Sequence, residues 1–425
     1  MPVRPDRGTE TEQAGSDARL LLHLQQAGYG VGARLGIAVS GGSDSLALLY
    51  LAQELAQRLG WVLFAATVDH GLRAESAAEA RAVADVCTGF GIAHEVLLWQ
   101  HGAIDGNLQD RARRARYGLL ATWGQRIGVD AVLIAHTADD QAETFLMGLA
   151  RAAGLDGLSG MRAAWVEAGM RFHRPLLTCS RAELRAYLSG RGGVWVDDPS
   201  NDNDRFARVK ARQALRALAP LGITADRLAD TADHLAKAQQ GQRVVLARVW
   251  GLIGREEAGA LYFPLPELAA WGEEIERRLL LAVIAHIGTE VYAPREAKLA
   301  NLRSALHEGR DATLAGCRFR LRAGVVAVFR EPNAVKASVC APSQIWDGRW
   351  QMQGPEAPEQ EIRALGAEGL RQLEGWRTGG IPRDALLVSP AIWCRDALIA
   401  APLAGFAQGW QAKLLRNLNE CILSH

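Results

Sequence analysis

The sequence predicts an α/β protein: a doubly wound parallel sheet, followed by an α-rich second domain and a small mixed α/β C-terminal domain. Three observations carry this. From Leu20 to about Pro220, short apolar runs alternate with longer helical ones. The short runs are apolar throughout, as strands covered on both faces should be. After Pro220 the alternation stops and one long helical pattern begins. Strand and helix in alternation build a parallel sheet. Its right-handed crossovers bring the strands' carboxyl ends to one side, where ligands bind.

The elements follow in order. "RLGIAVS" (34–40) is the first strand, and a helix is expected over Leu46–Leu59. "WVLFAATVDH" (61–70) precedes a helix over Glu75–Phe90, and "HEVLLW" (94–99) precedes an arginine-rich helix over Leu108–Ile127. "DAVLIAH" (130–136) leads into a helix over Asp139–Leu149. Beyond Pro220, residues 224–253 read as one helix, with Leu228, Ala232, Leu235 and Ala238 near one face. A helix over Ile275–Ile287 follows, then a β-meander over 310–332 that turns at Ala323–Gly324. The last region carries three β-like pieces, "DALLVSP", "AIWCRD" and "ALIAAPL". The expected organisation is a disordered tail (1–19), a catalytic domain (20–218), a second domain (219–335) and a C-terminal domain (339–425).

Composition narrows the class. The chain has 425 residues, 49% of them apolar, enough for a sizeable core. Its 48 basic and 47 acidic residues nearly cancel, so net charge neither demands nor excludes nucleic acid. Only 5 of the basic residues are lysine. Cys87, Cys179, Cys317, Cys340, Cys394 and Cys421 are scattered without a C-x-x-C pair, which argues against a disulfide framework or a zinc site and for a reducing cytoplasm. The polar start has no signal-peptide core, and no run approaches the ~20 apolar residues of a membrane span. No membrane and no protein partner is expected.

The loop "SGGSDS" (Ser40–Ser45) lies between the first strand and a helix. Gly41 and Gly42 let the backbone approach a ligand, and the helix start offers free N–H groups and the positive end of its dipole. Ser40, Ser43 and Ser45 add hydroxyls. A phosphate is the natural guest. No lysine follows, so this is not the loop of the common nucleoside triphosphatases. Asp44 would repel a bare phosphate; a bridging Mg²⁺ resolves that conflict. An ordinary Gly/Ser turn is the bland alternative. At Asp139, Asp140 and Glu143, carboxylates cluster at i,i+3 and i,i+4 spacing on a helix start. They suit a cation, although simple helix capping would also put acids there.

"SGGSDS" resembles the PP-loop of the N-type ATP pyrophosphatases, whose Rossmann-like domains use ATP to adenylate a carbonyl-type oxygen. With it come "VDHGLRAES" (68–76), "GNLQDRARRARYGLL" (106–120), "AHTADDQAETFLMGLARAAGLDGLSGM" (135–161), and "RPLL" with "DDPSNDNDRFARVKAR" (174–177, 197–212). In this order they resemble the tRNA(Ile)-lysidine synthetase family, closely over about residues 30–216. "PREAKL", "TLAGC" and "REP" extend the likeness loosely into the second domain. The resemblance implies a cytoplasmic ligase of tRNA modification that uses ATP and Mg²⁺. It would join L-lysine to the wobble cytidine of the CAU-anticodon isoleucine tRNA through an adenylated intermediate.

It also implies roles. Ser40, Gly41, Gly42, Ser43, Asp44, Ser45 and His70 would bind ATP, with Asp44 on the metal. Asp140 and Glu143 would recognise lysine and act in catalysis; which carboxylate meets which cation stays open. His136 would line the site. Arg208 would swing onto the intermediate, and Arg113, Arg116, Arg205 and Arg212 would meet tRNA. Two departures stand out. Many relatives have "RN" followed by arginine where this chain has Arg208-Val209-Lys210-Ala211-Arg212, and "RGSG" where it has Arg151-Ala152-Ala153-Gly154. The lysine-poor C-terminal region resembles the family's tRNA-binding domain only faintly. The competing reading, a PP-loop tRNA sulfurtransferase, would need placed thiols. Cys87, in a helix, and Cys179, after "RPLL", do not form a pair.

Overall fold

The computed structural model describes residues 15–71, 76–100, 108–196, 207–289 and 293–424. The chain divides into two compact units, Met1–Gln239 and Gln240–His425.

The first unit holds α1 (Ser16–Gln26), β1 (Arg34–Ala38), α2 (Ser43–Leu59), β2 (Val62–Asp69), α3 (Ser76–Gly89), β3 (Ala93–Leu98), α4 (Leu108–Ile127), β4 (Ala131–Ile134), α5 (Ala138–Leu149), α6 (Leu155–Leu158), β5 (Ala164–Glu167), β6 (Met170–His173), α7 (Arg181–Ser189), α8 (Ala207–Leu218) and the start of α9 (Ala225–Ile253). The sheet order is β3-β2-β1-β4-β6-β5, parallel except for β5. β5 and β6 join through Ala168 and Gly169, both at positive φ (48° and 75°), the turn that suits a two-residue hairpin. Strand periodicity decides the layers. Leu35, Ile37, Ala131 and Leu133 face a core shared with α1, α2, α3 and α7. Ala38, Val132 and Ile134 face a second core with α4. Both sheet faces are covered, which is why the strands read as unbroken apolar runs.

Boundaries differ in places. α1 is already helical at Ser16, so the fold starts inside the stretch read as a tail. α2 begins at Ser43, three residues earlier than read, and takes half of the Gly/Ser loop into its first turn. Ala152 holds φ +52°, a left-handed conformation that costs an L-residue roughly 1–2 kcal/mol.

The second unit contains β7 (Arg255–Glu257), β8 (Ala260–Pro264), α10 (Leu265–Ala269), α11 (Glu273–Gly288), α12 (Glu296–His307), β9 (Ala312–Leu314), β10 (Cys317–Arg322), β11 (Val325–Arg330), α13 (Pro332–Val335), β12 (Trp350–Gln353), β13 (Gln360–Ala364), α14 (Gly366–Arg371), α15 (Arg383–Leu387), β14 (Pro390–Cys394), β15 (Ala397–Ala400), β16 (Gln411–Leu414) and α16 (Leu418–Ser424). The expected meander β9–β11 is present, extended by β8 and β7 into a five-stranded sheet. "DALLVSP" is helical over most of its length. Pro382 sets the extended N-cap of α15, which buries Ala385 and Leu386, and only Pro390 enters a strand. No helix among the described residues is long and apolar enough to cross a membrane.

Gly36 sits under the ring of Trp123. A Cβ there would come within 2.7 Å of the Trp123 ring, which is 3% exposed and has no room to move. Gly36→Ala should therefore cost about 1–3 kcal/mol by overpacking. Urea unfolding measures it; an unchanged midpoint would show that the ring can shift.

Candidate active site

β1 ends at the point where the strand order reverses, with β2 on one side and β4 on the other. An open α/β sheet leaves its crevice there. The loop after β1 turns at Gly41, φ +87°, and reaches the extended N-cap Gly42. Gly42 has no side chain to cap α2, so the N-cap residue offers the first-turn N–H groups no side-chain acceptor. The Ser40 N–H donates to Ser45 Oγ (3.1 Å), and that hydroxyl donates to the Gly42 carbonyl (3.0 Å), a brace across the loop. Ser43 Oγ donates to Asp44 Oδ1 (3.2 Å). Burial raises the Asp44 carboxyl above its ordinary range, against the pull of the Arg181 guanidinium. The loop is thus an anion cradle with one carboxylate on its rim.

β4 ends beside β1, and α5 follows it. Thr137 caps this helix in a reciprocal box with Asp140. Asp140 Oδ2 accepts from the Thr137 N–H (2.9 Å) and hydroxyl (3.0 Å), while its other oxygen lies 3.4 Å from an Arg181 nitrogen. Capping and site roles are therefore divided between the two oxygens. Burial opposes the Asp140 charge, but His136, then Arg181 and the Thr137 N–H, outweigh it and lower the pKa. Glu143, one turn on, is 1% exposed. Its Oε1 accepts from Arg212 Nε at 2.6 Å and lies 3.6 Å from Arg181. Its Oε2 is buried with no hydrogen-bond partner among the described residues. Asp139 leaves this group: it accepts the backbone N–H of Arg181 (2.7 Å) and pins the start of α7.

Arg181 is the residue that sequence reading missed. Its Nε donates to Asp44 Oδ2 (3.1 Å) while its other nitrogens approach Asp140 and Glu143, so one guanidinium joins the loop to the acidic helix. The signal was present in "SRAE": Ser180 and Glu183 form a capping box and so announce a helix whose first residue is Arg181. Arg185, one turn later, donates to Ser43 Oγ (3.2 Å).

His136 Nδ1 accepts from Arg174 Nε (2.9 Å), which leaves its proton on Nε2. Burial lowers its pKa well below the ordinary imidazole range, against the pull of Asp140 and with help from the charges of Arg174, Arg116 and Arg208. Arg174, from "RPLL", is itself held by the Arg162 carbonyl (2.7 Å) and lies 3.8 Å over the Trp165 ring. Arg116 and Arg208 act on Asp140 and His136 through their charge, Arg208 from an exposed position on α8. Arg113 lies over the Tyr117 ring (5.2 Å). His70 packs edge-on against Trp99 (5.7 Å) at the end of β2. Arg212, expected on tRNA, pairs with Glu143. Arg205 lies outside the described residues. Among the described residues, no group of three or more His, Cys, Asp or Glu is arranged to hold a metal alone.

The profile of the PP-loop domain family matches residues 16–218. A curated tRNA(Ile)-lysidine synthase of Ruegeria pomeroyi is 45% identical over 381 residues, 90% of this chain and 91% of its own. That of Novosphingobium aromaticivorans is 44% identical over 71% of this chain and 90% of its own. That of Rhizobium meliloti is 34% identical over 85% of this chain and 83% of its own.

The Arg174 hydrogen bond and burial predict a neutral His136, protonated on Nε2, across about pH 5–8, the range in which free histidine titrates. Nitrogen NMR of labelled protein checks it; a His136 resonance titrating in that window would refute the assignment. A depressed histidine pKa stabilises the fold above 6.5 and loses that contribution as pH falls toward the folded value. His173, held at about 4 by burial, adds to the same trend. Thermal stability should thus decline from pH 6.5 downward, and less steeply in His173→Gln.

Proposed function

The chain belongs to the tRNA(Ile)-lysidine synthase family, and from that premise we propose how its residues join L-lysine to the wobble cytidine of the CAU-anticodon isoleucine tRNA. ATP is the co-substrate. Its phosphates would enter the cradle of Ser40, Gly41, Gly42, Ser43 and Ser45, on the uncapped N–H groups of α2. His70 would lie beside the nucleotide. Mg²⁺ fits the rim: Asp44 offers one carboxylate, and the phosphates and water would supply the other ligands, as this ion prefers. When bound, the ion would neutralise charge on the departing pyrophosphate.

The cytosine 2-oxygen attacks the α-phosphorus and pyrophosphate leaves. The lysine ε-amine then attacks C2, AMP departs with the former oxygen, and the amine gives up its extra proton. The observation that supports the lysine assignment is Glu143 Oε2, a buried carboxylate oxygen with no donor among the described residues, one helical turn from Asp140. A buried acceptor without a donor is costly, and an ammonium satisfies it. The attacking amine must be neutral, so Asp140 or Glu143 can take its proton. His136, held neutral with its proton on Nε2, can donate a hydrogen bond but cannot serve as a base there. Arg208 opens α8 and would supply positive charge to the adenylated intermediate. Arg113, Arg116, Arg205 and Arg212 would hold tRNA phosphates, Arg212 by leaving Glu143, which makes tRNA affinity salt-dependent. The sulfurtransferase alternative has no support in the thiols. Burial raises Cys87 to about 11, and raises Cys179 as well.

The test is ligation of radiolabelled lysine with ATP and Mg²⁺ to the CAU isoleucine tRNA, beside the initiator methionine tRNA that shares the anticodon. Label should enter only the first, and Asp140→Ala should lose at least about a hundredfold in rate. Pyrophosphate release without label would overturn the lysine assignment and leave only adenylation.

A further inference from the structure

Arg181 stands where two substrates would meet. Its shortest contact is to Asp44 on the phosphate loop (3.1 Å); its contacts to Asp140 (3.4 Å) and Glu143 (3.6 Å) on α5 are longer. The side chain is about one-fifth exposed, against 1% for Glu143. Burial works against its charge, yet the carboxylates of Asp44 and Asp140 outweigh it, so the guanidinium stays protonated. Its place does not depend on these pairs. The Arg181 backbone N–H is fixed by Asp139, and the Ser180–Glu183 box holds the helix start. The side chain can move while α7 stays.

We propose that Arg181 is a place-holding cation that couples the nucleotide and lysine subsites: it neutralises Asp140 and Glu143 while the site is empty, and yields them to the lysine ammonium when nucleotide phosphates draw it to the loop. This rests on the lysine reading of the site. The physics is charge accounting within one small volume. Arg181 and Arg212 answer Asp44, Asp140 and Glu143. An ammonium arriving alone can reach Glu143 Oε2, but it must share Asp140 and Glu143 with Arg181, whose like charge repels it. A bound triphosphate brings anionic oxygens to the loop on which Asp44 sits. Arg181 then has stronger partners on the side it already favours, and the long contacts to Asp140 and Glu143 are the ones given up. Nucleotide therefore raises lysine affinity, and by linkage lysine raises nucleotide affinity equally. The arrangement also keeps Glu143 from being left buried without any cation between turnovers.

The experiment is calorimetric titration of the full chain with lysine, with and without an ATP analogue whose α- and β-phosphorus atoms are bridged by methylene. In the unaltered protein the analogue should tighten lysine binding by about 5- to 150-fold, the usual range of such coupling. Arg181→Gln keeps the backbone bond to Asp139 but removes the charge. It should bind lysine more tightly than the unaltered protein without nucleotide, and the analogue should change its affinity less than about twofold. Asp44→Asn, measured without nucleotide, should do the opposite: Arg181 loses its nearest partner, settles on Asp140 and Glu143, and lysine binding weakens. Full coupling retained in Arg181→Gln, or unchanged lysine affinity in Asp44→Asn, overturns the coupling role alone. No lysine binding by the unaltered protein even with the analogue overturns the lysine reading itself.

Discussion

A buried carboxylate must be matched by a cation, and the catalytic unit is organised around that demand. Glu143 is almost wholly inside, with Asp140 a turn away and Asp44 facing both across the loop. Isolated, such charges would cost several kcal/mol each in desolvation and mutual repulsion. They are matched by Arg181 and Arg212, which come from α7 and α8, elements far from α5 in sequence. The ion pairs therefore tie side chains of α7 and α8 to α5, while Asp139 and the Ser180–Glu183 box hold the start of α7. They do so with groups that a cationic substrate can replace, which gives a stable fold and a vacant specificity in one device.

The sheet supplies the convergence. β1 and β4 are neighbours, and both run toward the same edge before entering a helix. Their helices aim their N-termini at the crevice between them, one uncapped and bare, the other capped by Thr137 and carrying acids. The bare one is fit for an anion and the acidic one for a cation. An adenylating ligase with an amine nucleophile needs those two charges side by side. Parallel topology produces that pairing because adjacent strands deliver adjacent helix starts.

Much of this was legible in the residues. Apolar runs gave the strands, because both faces of β1, β2 and β4 are covered. "SGGSDS" gave the loop and Asp140/Glu143 the acidic pair, because residues close in sequence on one helix face stay close in space. Arg181 was hidden for the opposite reason. It is 41 positions beyond Asp140 and 137 beyond Asp44, and an arginine opening a helix carries no local sign of what it faces. Arg212 was read as part of a basic run, where charge pattern predicts solvent or phosphate, and its pairing with Glu143 is again a long-range fact. The hairpin of β5 and β6 was missed because its turn uses Ala168 where asparagine or glycine would mark one. "DALLVSP" has strand-like composition, but Pro382 and the burial of Ala385 and Leu386 make its first part a helical turn.

The choice of arginine for these cations has its own logic. Among the described residues, the cations that bear most closely on the crevice, Arg116, Arg174, Arg181 and Arg212, are all guanidiniums, while Arg208 and Lys210, on α8, are both exposed. A resident lysine beside Asp140 and Glu143 would present the same ε-amine as the substrate, with carboxylates at hand to take its proton. Buried lysines lose protons readily, and a neutral amine next to an activated carbon is a nucleophile. A guanidinium keeps its charge above pH 12, so it can occupy the acidic pair without ever attacking. It also spreads its charge over a planar fork that reaches three carboxylates at once, which an ammonium of the same reach would not hold in a fixed orientation. A compositional bias toward arginine supplied the residue; in this crevice the chemistry gives a reason to keep it.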